Sequence, residues 1–259
     1  MSNSANKNDN MTINKKLSSL YSKVNVSLSK AADEYNKKIS VKKKKTAYPL
    51  YINVNKEYED ADVKILIFGQ ETDSWCDDDK KIYSSNIPLS EILAVYNNFF
   101  GKKECYTRRS NFWPSIRNFI NLLQKKNNNV KIDYLWNEIV KMGYYWDIGK
   151  PDFYESLVKP FLNKIIIKEI KIIKPDYIIF FTGPNYDYIL DDIFNSPKKE
   201  EIIGFQERQL CKINIPNVRY CFRTYHPRYL RQAKLEKRIT KKMEKIINDD
   251  ISNIRRKSK

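Results

Sequence analysis

Histidine occurs once in this chain, at His226, and cysteine four times, at Cys76, Cys105, Cys211 and Cys221, with no two in a C-x-x-C pair. One imidazole and four scattered thiols do not make a zinc site or a disulfide framework, so no metal and no cofactor are expected. Long apolar runs are missing too. None reaches the ~18 residues needed to cross a bilayer, and the polar start, Met1 to Asn10, lacks the hydrophobic region of a secretory signal. The expectation is a cytoplasmic protein with no membrane partner. Acidic residues are in short supply, 31 Asp+Glu against 48 Lys+Arg, which leaves a formal charge of +17. Such an excess attracts polyanions in a salt-dependent way and makes nucleic acid the first partner to consider. Being mostly Lys among abundant Asn and Ile, it also fits a compositional bias of the source genome. Internal repeats are absent, and nothing in the sequence indicates an oligomeric state.

What is present is enough for a real core: 259 residues, 41% of them hydrophobic, fit one large domain or a domain with helical extensions. Ile13, Leu17, Leu20, Val24, Leu28, Ala31, Tyr35 and Ile39 recur at steps of three and four, the spacing of an amphipathic helix. The run Lys42-Lys43-Lys44-Lys45 follows it, a solvated linker or a DNA contact. Three segments are predicted: a helical extension with its basic linker over 1–45, a main domain over 46–235, and a basic amphipathic helix over 236–259 that carries Ile239, Met243, Ile246 and Ile247.

Within the main domain, Val63 to Phe68 is short, rich in branched residues and closed by Gly69, as a buried strand would be. Further strands are predicted at Ile132–Val140, with Trp136-Asn137-Glu138 interrupting its pattern, at Tyr177–Phe181, and at Arg219–Thr224. Helical spacing covers Pro88–Phe100, Pro114–Leu123, Tyr154–Ile173 and Tyr186–Ile193, and a polar excursion precedes the last strand. Alternation of this kind predicts an α/β fold: a three-layer α/β/α sandwich around a central four-stranded, mainly parallel sheet, with amphipathic helical extensions at both termini. Ligands of such sheets bind beyond the carboxyl ends of the strands. The loops after Phe68, Asn137, Phe181 and Tyr225 should therefore share one rim.

The loops on that rim carry Gly69-Gln70-Glu71 first, Asn137 second, and His226-Pro227-Arg228-Tyr229-Leu230 last, with Lys174-Pro175-Asp176 leading into Tyr177-Ile178-Ile179-Phe180-Phe181-Thr182-Gly183 between them. In this order they resemble the uracil-DNA glycosylase superfamily, over roughly residues 60 to 235. Its members carry a Gly-Gln-Asp-Pro-Tyr or Gly-Glu-Ala-Pro-Gly loop first, a strand ending in Asn-Val-Val-Lys, and a His-Pro-Ser loop last. The resemblance implies hydrolysis of the bond between a sugar and a base flipped out of DNA, single-stranded or damaged duplex. Breaking that bond builds positive charge on the sugar and negative charge on the base, so a carboxylate and a hydrogen-bond donor both lower the barrier. Glu71 would position or activate water, with Asp73 as a rival acid, and His226 would donate to the departing base. Asn137, with Gln70 beside Glu71, would read the base edge, since an amide answers uracil with both a donor and an acceptor. Trp75 or Phe112 would supply an aromatic face, and Arg108, Arg109, Arg228 and Arg231 would reach the DNA backbone.

Departures from the family pattern are equally plain. Thr72-Asp73-Ser74-Trp75 stands where Pro and then Tyr or Gly follow in the family, and Arg228 replaces its Ser. The iron–sulfur branch, which the helix and histidine segments resemble most, holds its cluster with four cysteines that this chain does not place correctly, so no cluster is expected. These changes fit an altered base preference. They fit equally a catalytically inactive nucleic-acid-binding or partner-binding protein that keeps the fold, and hydrolysis of a free nucleoside or nucleotide is a third reading.

Overall fold

The computed structural model describes residues 11–72, 75, 82–108 and 110–257. Its sheet contains six strands: β1 (Val63–Glu71), β2 (Ile132–Val140), β3 (Tyr177–Phe180), β4 (Lys199–Glu201), β5 (Leu210–Ile213) and β6 (Tyr220–Thr224). They lie in the order β2-β1-β3-β6-β5-β4. The strands expected from sequence are the parallel block β2-β1-β3-β6. A sheet of four is therefore a correction to make: β5 and β4 add antiparallel pairs beyond β6, within the stretch read as a polar excursion. β4 is Lys-Glu-Glu with no buried residue, so it carries no apolar alternation by which a strand could be recognised.

From β1 the chain crosses to β2 on one side and later returns to β3 on the other. The order thus reverses at β1, where an open α/β sheet leaves a crevice at its carboxyl ends. β1 and β2 run in register from Val63 opposite Ile132 to Gly69 opposite Glu138, which puts the ends of both strands at the same height.

Eight α-helices accompany the sheet among the described residues: α1 (Ile13–Lys38), α2 (Lys56–Glu59), α3 (Leu89–Tyr96), α4 (Phe112–Lys126), α5 (Lys164–Ile173), α6 (Asp187–Phe194), α7 (Pro227–Gln232) and α8 (Glu236–Lys257). Thr12 caps α1 by accepting from the Lys15 amide, and Asn55 caps α2 in the same way at Tyr58. The helix expected over Tyr154–Ile173 exists, but Tyr154–Asn163 is wound as a π-helix around Pro160, whose ring and missing N–H disturb a regular α-helical ladder.

The terminal helices are built into the core. Leu17, Tyr21, Leu28 and Ala32 of α1 and Ile239, Met243, Ile247 and Ile251 of α8 belong to the same continuous apolar cluster as the sheet. α1 packs on α5, and α8 on α4. Among the described residues no helix is long and apolar enough to cross a membrane, and no group of three or more His, Cys, Asp or Glu side chains is placed to hold a metal ion.

Candidate functional site

A cavity of about 590 Å³ opens beyond the carboxyl ends of β1 and β2. Its strand side is formed by Gly69, Gln70, Glu71 and Thr72 together with Glu138. Trp75, Phe99, Phe112, Trp113 and Trp136 make an aromatic wall, its rings meeting mostly edge to face. Arg108, Ser110, Ile148, His226 and Arg228 complete the lining from the loops.

The structure brings Glu71 and His226 to one cavity, although 154 positions of sequence separate the strand end from the later loop. Glu71 is half-buried, and its Oε1 accepts from the Gly149 amide at 2.6 Å, which ties the end of β1 to the loop after β2. His226 caps α7. Its Nδ1 accepts from the Arg228 amide at 3.2 Å, so the neutral ring carries its proton on Nε2. Burial, with the Arg228 charge adding to it, pushes the imidazole pKa down to about 4. The ring is thus neutral at pH 7 and a donor through Nε2. Phe112 stacks on it at 5.7 Å and 11° and fixes its plane.

Gln70, Trp75, Phe112, Arg108 and Arg228 also reach the cavity. Gln70 donates to the Thr182 carbonyl at 2.7 Å, a bond that uses one of its two amide N–H groups and holds the side chain at the cavity. Trp75 is anchored by its indole N–H on the Tyr48 carbonyl, and Arg108 lies over the Phe99 ring at 5.6 Å. Asp73 and Arg109 lie outside the described residues.

Two expected site residues are placed elsewhere. Asn137 is fully buried on the face of β2 opposite the cavity, bonded to the Glu169 carboxylate at 2.9 Å and to Lys141 Nζ at 2.7 Å. Successive side chains alternate across a strand, so Asn137 points away whenever Trp136 and Glu138 face the cavity. Arg231 is engaged within the chain: it binds Glu236, Asn111 and Ser115 at 3.0, 2.9 and 3.0 Å and clamps α7 to α4 and α8. A phosphate would have to compete with all three.

The residue that sequence reasoning missed is Glu138. It is 4% exposed, it lines the cavity, and Trp136 Nε1 donates to its Oε1 at 2.7 Å. Gly69 makes room for it, because a Cβ there would overlap the carboxylate. The signal was available in the chain. In Asn-Val-Val-Lys the amide stands three residues before the lysine, and three residues before Lys141 is Glu138, not Asn137.

No family model matches this chain, and no curated protein matches it either.

Proposed function

We propose that the chain is a DNA glycosylase-like hydrolase of the uracil-DNA glycosylase type, cleaving the N-glycosidic bond of a base flipped into the cavity. The observation that carries this reading is the convergence of Glu71 and His226 on one aromatic-walled cavity at the carboxyl ends of a parallel sheet. In this reaction a water oxygen bonds to C1′ as the C1′–N bond breaks. Glu71 accepts the water's proton, and the bonding pair leaves with the base. His226 Nε2–H, neutral at pH 7, donates to the base oxygen on which negative charge develops. The base takes up a proton from solvent afterwards. Arg108 and Arg228 supply positive charge beside the cavity for the phosphates that flank the flipped nucleotide. The reading carries with it the three-layer α/β/α arrangement, a DNA partner, single-stranded or damaged duplex, and a cytoplasmic setting.

The test uses purified protein with uracil-, hypoxanthine- and xanthine-containing oligonucleotides, scored for abasic sites. Turnover is expected on at least one. Glu71→Gln should lower it by about 10²- to 10⁴-fold, the usual contribution of a general base, while DNA affinity stays nearly unchanged. Binding without abasic sites on every substrate would remove the enzyme reading and leave the second one, a binding protein that keeps the fold. Glu138 favours that second reading to one extent: a carboxylate, not an amide, lines the cavity at the end of β2.

A further inference from the structure

The positive charge of the chain is gathered on the helices beside the cavity. α4 carries no Asp or Glu. α8 carries two carboxylates ahead of Asn248, and both are used inside the fold: Glu236 binds Arg231 at 3.0 Å, and Glu244, 4% exposed, pairs with Lys126 at 2.8 Å. Lys237, Lys241 and Lys245 recur every fourth residue on the exposed side of α8. Among the described residues none of these three makes an ion pair. Helical spacing puts neighbours in the row about 6 Å apart and its ends about 12 Å apart, the axial rise of roughly four nucleotides of one strand.

The row starts beside the cavity. α7 follows directly on His226, and its Arg231 joins Glu236, the first residue of α8, to Asn111 and Ser115 at the start of α4. Phe112 and Trp113 of α4 line the cavity with His226 and Arg228. Further along, Asn127 at the end of α4 donates to Asn248 of α8 at 2.6 Å, while Ser115 bonds Glu236 at the start. Both pairs are 121 positions apart, so α4 and α8 run side by side in the same direction, away from the rim.

The other basic candidate, Lys42-Lys43-Lys44-Lys45, is tied into the fold instead. Asp147 pairs with Lys43 at 3.8 Å and with Lys44 at 3.3 Å, and the carbonyls of Lys43 and Lys45 accept from the Trp146 and Tyr145 amides. The apolar residues of α8 decide which polyanion fits its outer side. Ile239, Met243 and Ile247 are wholly buried, so the helix has no apolar face to lay into a lipid surface. What it offers is a straight row of ammonium groups, complementary to a row of phosphates.

We propose that the outer side of α8 is a nucleic-acid-binding face, on which Lys237, Lys241 and Lys245 hold the phosphates of a strand whose base enters the cavity. The base then arrives on a polymer and not as a free nucleoside. This rests on the cavity being a nucleobase site, as proposed above, and does not require the protein to be catalytic.

The experiment follows the fluorescence anisotropy of labelled DNA oligonucleotides longer than the row, single-stranded and duplex, with the full chain over a series of salt concentrations. One variant combines Lys237→Gln, Lys241→Gln and Lys245→Gln. It is expected to bind about tenfold or more weakly, with the slope of log affinity against log salt shallower by about 2 to 3, the share of three phosphate contacts. Arginine at the same three positions keeps the charge and should bind like wild type. A control combines Lys15→Gln, Lys23→Gln and Lys30→Gln, which removes the same charge from exposed positions of α1, a helix packed on α5. Its affinity should stay within about threefold of wild type. Equal losses in the two glutamine variants would show a diffuse effect of net charge and overturn the proposal, as would no binding of either oligonucleotide by the wild type. Binding to phosphatidylserine vesicles with the same dependence on the α8 lysines would assign the face to a lipid surface and overturn it too. Abasic sites on the uracil oligonucleotide are scored separately. Selective loss of affinity in the α8 variant with no abasic sites in the wild type supports the face and counts against the glycosylase reading. Abasic sites in the wild type with affinity unmoved in that variant do the reverse.

Discussion

His226 shows how one side chain can serve two purposes whose consequences are measurable. As the cap of α7 it accepts from a backbone amide, and as a cavity residue it is held neutral by burial, with a pKa near 4 against the ordinary 6.5. The folded protein therefore binds fewer protons than the unfolded chain between pH 6.5 and 4. Stability from this group is fully present above pH 6.5 and is lost as pH falls toward 4, by roughly 3 kcal/mol in total. His226→Asn keeps a capping acceptor but does not titrate in this range. Urea unfolding at pH 7 and pH 4 should show the wild type losing roughly 3 kcal/mol more than the variant; parallel losses would mean that His226 is not held neutral. The placement of His226 at the rim was legible in the sequence, because a lone histidine ahead of a proline follows a strand. The role of Asn137 was not. Strand geometry alternates faces, and a misregistration of one residue exchanges a buried structural amide for a cavity carboxylate.

Among the elements, β1 and β3 were readable because each holds a compact run of branched and aromatic residues, whereas β5 is only four residues long inside a polar stretch and β4 is a polar edge strand that pairs with β5. How β1 and β2 pack was not readable at all. Gly69 and Glu138 are neighbours across the two strands, and the glycine is needed because the carboxylate lies over its Cα. Gly69 lies within β1 and not at a turn, so a close approach explains it better than backbone freedom does. Gly69→Ala should therefore cost about 1 to 3 kcal/mol, the usual penalty for forcing an extra methyl into packed space. Combined with Glu138→Ala, which removes the obstructing carboxylate, most of that penalty should disappear. The pair is thus expected to be strongly non-additive in a double-mutant cycle of unfolding free energies. Additive losses would place the clash elsewhere.

At the scale of the whole molecule, a buried polar cluster joins parts of the chain that the sequence presents as separate. Tyr21 of α1 donates to Glu169 of α5 at 2.7 Å and accepts from the Ile52 amide at 3.0 Å. Glu169 also pairs with Lys141, just beyond β2, at 2.9 Å, and with Asn137 on that strand. Lys141 and Glu169 are completely buried, and burial lowers the Lys141 pKa. Charges so placed are tolerated only while their partners remain, which makes α1 a structural requirement of the sheet. A sequence pattern reports the amphipathic face of α1 but not the tyrosine that reaches a carboxylate 148 positions away. Tyr21→Phe preserves the ring and its stacking on Tyr51 at 4.3 Å while leaving a buried amide and a buried carboxylate each short of one bond. The expected loss is about 2 to 4 kcal/mol, two unsatisfied buried groups, read as a lower urea midpoint. Because α1 and the sheet share this buried cluster, circular dichroism and tryptophan fluorescence should report the same lowered midpoint in the variant. Separate transitions, helix first, would show that α1 is an appendage after all.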